Sequence, residues 1–393
     1  MDVVETSAGF QPVPAPFAAP LVPAAENARS RKRLVSLDAM RGFAVMGMIV
    51  VNTVAFSNIS YGYHPASQIL SHSFWVGFTF ADFVFPAFVF TAGVSIAISL
   101  RHSSLEWATV ERICARAVAL LALGFLLANV TLFEQPGAWR CLGVLQRIGI
   151  CYFATALLFL SCGPRARLIL ALSLLALYWP VALLPVPNQA TNLLIPGANF
   201  ISYVDRTVLG AHALVTGAQG YDPEGLLSTL PAFAQCLLGA AAGEWLLKNR
   251  ARGNALPKLA AAGAASLLIG LCWSPFFPLI KNIWSSSYVL VSSGLATLVF
   301  CFFYWALDER KLRLRGTAFL EAFGINALLA YVLQELAQLL PAAGALGDMH
   351  AIGSASLKMN MPGVVGNLPV LAFILILWAP LELMRRRRWI VKL

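Results

Sequence analysis

The chain has 393 residues, of which 59% are hydrophobic and only 12% charged, with a mean hydropathy of +0.74. Soluble globular domains carry roughly a quarter charged residues, so this composition excludes them and describes a polytopic membrane protein. The net charge of +10 then reports sidedness across a bilayer rather than a nucleic-acid partner.

In chain order, residues 1–33 come first, rich in Pro and Ala (PVPAPFAAPLVPAA) and ending in the basic cluster Arg29, Arg31, Lys32, Arg33. They lack the basic-then-apolar order of a signal peptide and are expected to form a disordered cytoplasmic tail before a transmembrane domain over 34–393. A spanning helix needs ~20 mainly apolar residues. Ten stretches qualify, at 36–57, 78–99, 113–132, 142–162, 166–185, 226–247, 257–275, 284–306, 317–340 and 366–384. Basic residues crowd the alternate connections: Arg101 with Arg112 and Arg116, Arg165 with Arg167, Lys248 to Lys258, Arg310 to Arg315, and Arg385 to Arg388. The other connections hold only Arg140, Arg206, Lys281 and Lys358. The positive-inside rule therefore puts both termini in the cytoplasm, which requires an even number of spans. The expected fold is an all-α polytopic integral membrane protein of about ten transmembrane helices.

The seven cysteines are scattered without a CxxC pair, so no metal or redox framework is expected. The connections 186–225 and 341–365 fall on the outer side and either cap an outward-facing site or serve as plain connectors. No internal repeat is evident, which lowers the weight of an inverted-repeat transporter.

The stretch SHSFWVGFTFADFVFPAFVF, residues 71–90, concentrates the chemistry. His72 lies at its outer mouth, and Asp82, ten residues on, is expected ~15 Å deeper at helical rise, near mid-membrane. A carboxylate at that depth needs a partner. Arg147 and Asn52 are the candidates, either as an Asp82–Arg147 pair that fixes helix register or as part of a polar cavity. Asn282 beside Lys281, and Asn326 and Glu335 in the ninth stretch, add polar groups to apolar runs, and each is also explained by an interhelical hydrogen bond. Asp38 and Arg41, three apart at the first helix start, form a local pair or line a site. A neutral histidine serves as general base or transient nucleophile, whereas GxSxG, HExxH, P-loop and Rossmann patterns are absent.

The blocks SLDAMRGFAVMGMIVVN (36–52), SHSFWVGFTFADFVFPAFVFTAGVSIAISL (71–100), LGVLQRIGICY (142–152), YDPEGLLSTLPA (221–232), KNIWSSSYV (281–289) and FGINALLAYVLQE (323–335) resemble the heparan-α-glucosaminide N-acetyltransferase family. The resemblance implies transmembrane transfer of acetyl from cytoplasmic acetyl-CoA, as co-substrate, to the amine of a glucosamine-type sugar or glycan on the far side, with a homodimer as a plausible assembly. It puts the catalytic histidine on His72 and an active-site asparagine on Asn52, with Asp38, Asp82, Arg147, Lys281 and Asn282 around the acyl-CoA path or cavity, to which Arg41 and Asn326 are added as polar residues of the apolar runs. No metal is implied. The chain departs from the eukaryotic members in a longer connection between Asn52 and His72, in Val76 where they carry Asn, and in lacking their N-terminal lumenal domain. The last departure makes a bacterial inner-membrane protein the expectation. An amino-sugar permease coupled through Asp82, and an O-acetyltransferase of an envelope glycan, are the alternative functions.

Overall fold

The computed structural model of the protein describes residues 34–56, 69–129, 139–312, 316–339 and 368–391. The expected N-terminal tail, the connection 57–68 and the connection 341–365 lie outside the described residues. Among the described residues the secondary structure is helical, with isolated β-bridges and no strand.

The helices are α1 (Val35–Phe56), α2 (Phe80–Leu100), α3 (Trp107–Asn129), α4 (Val144–Ser161), α5 (Pro164–Ala182), the short α6 (Phe200–Leu209), α7 (Thr229–Asn249), α8 (Ala255–Trp273), α9 (Ser286–Phe303, continued by a π turn over Tyr304–Glu309), α10 (Thr317–Ile325), α11 (Ala327–Leu339) and α12 (Leu368–Arg386). Seven are long and apolar enough to cross a membrane, and α10 with α11 makes a bent eighth. The ten spans expected from sequence are reached only by also counting α3 and α12, of 23 and 19 residues. The ninth stretch is not one straight helix, because α10 and α11 meet at 81° about Asn326.

Helices in lipid gain little from apolar burial against each other, so close contact and interhelical hydrogen bonds hold the bundle. The α2–α7 crossing uses both. A Cβ on Gly93 would lie 1.9 Å from the Cys236 carbonyl oxygen, and one on Gly239 would lie 2.1 Å from that of Phe90, so only glycine permits this approach. Deeper in, the Gln235 amide donates to Ser292 Oγ at 2.9 Å and accepts from the Trp284 indole at 3.0 Å, tying α7 to α9. Ser286 Oγ donates to the Leu175 carbonyl on α5 at 2.7 Å.

The start of α1 and the end of α12 share one end of the bundle. Ser36 N–H donates to Asp308 at 3.0 Å, and Arg385 reaches Glu321 at 3.6 Å. This end also carries Arg101, Arg116, Lys248, Arg250 and Arg385 to Arg388, and is called the basic end below. The segment 71–79, α6 and the turn 281–285 gather at the other.

Candidate active site

The polypeptide before α2, residues 71–79, is bent and irregular rather than helical, and this sets the position of Asp82. Thr79 is the N-cap of α2, and Thr79 with Asp82 forms a capping box in which each side chain engages the other's backbone N–H. Asp82 is therefore in the first turn, beside His72, and not at mid-membrane as helical rise from His72 suggested. The rise does not apply because residues 73–79 fold back instead of climbing.

Asp82 is fully buried and both oxygens of its carboxylate are engaged. One oxygen lies 2.9 Å from His72 Nδ1. The other accepts from Ser73 N–H at 3.1 Å, Ser73 Oγ at 2.7 Å and Thr79 N–H at 3.2 Å, with Thr79 Oγ1 at 3.1 Å. A carboxylate with this many donors stays ionised and acts as acceptor only. It therefore fixes the imidazole as the Nδ1–H tautomer, leaving Nε2 with a lone pair, and the His72 side chain is 39% exposed.

The segment is anchored on both sides. Trp75 is buried, donates from its indole to the Leu193 carbonyl at 2.8 Å and packs edge-on against Tyr221. Val76 bridges antiparallel to Ile280, and Gly77 N–H donates to the Leu279 carbonyl at 2.9 Å. Gly77 has φ of +147°, and a Cβ there would lie 2.9 Å from Ser73 Cβ, so the turn that points Ser73 at Asp82 requires glycine. The side chain of Val76 is exposed at the mouth.

The same bridge brings Lys281 over the histidine, with Nζ 3.0 Å from Nδ1 and 3.1 Å from Nε2. Burial lowers the pKa of this lysine. The following turn is strained, with Trp284 at φ of +53° and fully buried. The Tyr288 hydroxyl from α9 donates to the Asp82 main-chain carbonyl at 2.6 Å.

Arg147 does not pair with Asp82. Its guanidinium lies 4.7 Å over the Trp284 ring and bonds Ser228 Oγ and the Gly225 carbonyl, the latter at 3.4 Å. A separate charged cluster reads YDPEG: Arg140 donates to Asp222 at 2.8 Å and to Glu224 at 2.5 Å. Burial raises the Glu224 carboxylate, but the Arg140, Arg147 and Lys281 charges together with the Arg140 hydrogen bond more than offset it, and the group ends below its ordinary value. On α6, burial pushes Asp205 up to about 7.

Of the other sequence candidates, Asn52 is half-buried toward the His72 end of α1, and Asn282 is half-buried beside Lys281. Among the described residues no hydrogen bond joins either to His72. Asp38 and Arg41 are 3.9 Å apart at the basic end. Arg41 lines a narrow crevice of ≈ 60 Å³ with Ser95, Ser99, Arg116 and Tyr152, which reaches inward to Phe88 and Ile148. Asn326 stands at the bend between α10 and α11. Its amide donates to the Trp389 carbonyl at 3.1 Å and accepts from Val391 N–H at 2.9 Å, so it fastens the C-terminal segment at the helix bend. Glu335 bonds Tyr331 on its own helix. Ser73, Thr79, Trp75 and Trp284 were not singled out from sequence, although T-x-x-D before an apolar run is a legible capping box. Among the described residues no group of three or more His, Cys, Asp or Glu side chains has a metal-binding arrangement.

Comparison with known proteins gives the family. The family model described as heparan-alpha-glucosaminide N-acetyltransferase, catalytic, matches residues 33–275. The human protein named heparan-alpha-glucosaminide N-acetyltransferase is 31% identical, over 77% of this chain and 53% of its own length, and the mouse protein of that name is 30% identical, over 78% and 54%. The chain thus spans about half the length of these curated relatives. On the extent of these matches, the chain belongs to the heparan-alpha-glucosaminide N-acetyltransferase family.

Proposed function

We propose that the protein is a transmembrane N-acetyltransferase, which moves acetyl from acetyl-CoA on the cytoplasmic side to the amine of a glucosamine-type sugar on the opposite side. The observation that carries this reading is the His72–Asp82 pair at 2.9 Å, set at the end of the bundle opposite the basic one. The positive-inside rule then makes the basic end cytoplasmic and the histidine end external, which in a bacterium is the periplasmic face of the inner membrane.

His72 Nε2 takes a proton from the acceptor amine as that nitrogen bonds to the thioester carbon. The C–S bond breaks, and the departing thiolate takes the proton back from His72. Asp82 holds the ring in the required tautomer and stabilises the imidazolium that forms. Asn52 is the candidate donor to the oxyanion. At the cytoplasmic end, Arg41 and Arg116 flank a crevice that leads inward, which suits the anionic phosphates of CoA.

The test gives purified protein acetyl-CoA and glucosamine and follows thiol release. Wild type releases CoA in a glucosamine-dependent manner and His72→Ala does not; equal rates in the two refute the assignment. Acid-trapping after acetyl-CoA alone tests the covalent route, in which His72 itself carries the acetyl group: label held by wild type and absent from His72→Ala supports it.

A further inference from the structure

The nitrogen that gives its proton to His72 must come within hydrogen-bond reach of Nε2, about 2.6–3.2 Å. A primary amine of the chain itself already lies within that distance, over the face of the ring: Lys281 Nζ is 3.1 Å from Nε2 and 3.0 Å from Nδ1, a short swing from the Nε2 lone pair. Its backbone is fixed by the Val76–Ile280 bridge and by Trp284 N–H donating to the Lys281 carbonyl at 2.9 Å. The four-carbon stem leaves the amine free to swing.

We propose that Lys281 is an internal acceptor, so that without sugar the enzyme acetylates its own Lys281. The inference rests on the acetyltransferase reading above. The Nζ lone pair attacks the thioester carbonyl, the N–C bond forms and the C–S bond breaks. The proton leaves Nζ for His72 Nε2 and passes to the thiolate, giving acetyl-lysine and free CoA. Attack needs the neutral amine, and the burial that depresses the Lys281 pKa enlarges that fraction. The sugar amine and Lys281 then compete for one position, and acetylation removes the lysine's charge from beside the histidine.

The experiment incubates the purified full-length chain with acetyl-CoA and no sugar, then maps acetylation by mass spectrometry of proteolytic peptides. The expected result is time-dependent acetyl on Lys281, absent in His72→Ala and slowed by excess glucosamine. Preincubation with acetyl-CoA should also progressively lower later glucosamine turnover in wild type, and not in Lys281→Arg. Lys281 left unmodified while the same preparation shows glucosamine-dependent CoA release overturns the proposal and leaves the acetyltransferase reading intact. Equal acetylation in wild type and His72→Ala also overturns it, as uncatalysed chemistry. Neither acetylation nor CoA release with any amino sugar refutes both.

Discussion

Asp82 and His72 are joined through a carboxylate engaged on both oxygens: one meets Nδ1 at 2.9 Å, and the other is filled by Ser73 and Thr79. Asp82 is also the third residue of α2, so one side chain caps the helix and orients the imidazole. Helix start and histidine tautomer are thereby set by the same atom group.

Asp82→Asn separates those roles. The amide oxygen still accepts from Ser73 and Thr79, which keeps the cap, while its NH₂ faces Nδ1 and favours the wrong tautomer. A loss of ~10³- to 10⁴-fold in kcat is expected, by analogy with triads whose aspartate is changed to asparagine, with thermal unfolding little altered. Acceptor-dependent CoA release and a melting curve check it. A variant with near wild-type turnover would show that the carboxylate does not orient the base.

Gly77→Ala tests how the turn aims Ser73. The new Cβ meets Ser73 Cβ at 2.9 Å at a φ of +147°, so the backbone must shift, at a cost of ~1–3 kcal/mol. Because Ser73 supplies two donors to Asp82, kcat is expected to fall at least roughly tenfold with the KM for acetyl-CoA unchanged, a drop of ~1.4 kcal/mol in transition-state stabilisation. A lowered melting temperature with full turnover would instead make the turn purely structural.

The helical membrane fold was legible in the sequence because composition and apolar run length determine it, whereas His72 and Asp82 stood out only as polar residues at an apolar run, the histidine's expected role coming from the family resemblance. The partner of Asp82 was not legible. Counting ~1.5 Å per residue assumes helix, and residues 73–79 are pinned to 279–280 by a bridge no local pattern announces. Asn326 stood out as polar in an apolar run, yet its partners Trp389 and Val391 lie more than 60 residues away in sequence. The same distance hid Arg140 from Asp222 and Glu224. Residue type showed where polar groups sit in apolar runs, and only tertiary contact showed which ones meet.

Asp205 gives a pH signature outside the spans. Its pKa is raised from 3.8 to about 7, first by burial and then by the neighbouring Asp222 charge, against the Leu226 N–H that it accepts at 3.0 Å. The folded state holds the proton more tightly than the unfolded chain, so the contribution of this group is most favourable below pH 4 and is lost as pH rises toward 7. The loss is at most ~4 kcal/mol. Asp205→Asn, permanently neutral, should flatten this slope, with the larger gain over wild type at pH 8 than at pH 5. Parallel melting profiles for the two proteins would assign the slope to another group.

Arg116 tests the donor end. Its guanidinium lies 4.7 Å over the Tyr152 ring and lines the crevice with Arg41 at the basic end. If that crevice receives the CoA phosphates, Arg116→Gln removes a charge-assisted hydrogen bond of ~1–2 kcal/mol and raises the KM for acetyl-CoA roughly 5- to 30-fold. The KM for glucosamine should stay put, since the His72 mouth is at the far end. Arg112 is the control. It sits one turn earlier on α3, bonds the Ala108 carbonyl and Thr109, and does not line the crevice. Arg112→Gln should leave both constants near wild type, and the Arg116 effect should shrink as salt screens the phosphates. Equal effects from the two substitutions would reduce the role of Arg116 to the general positive charge of that face.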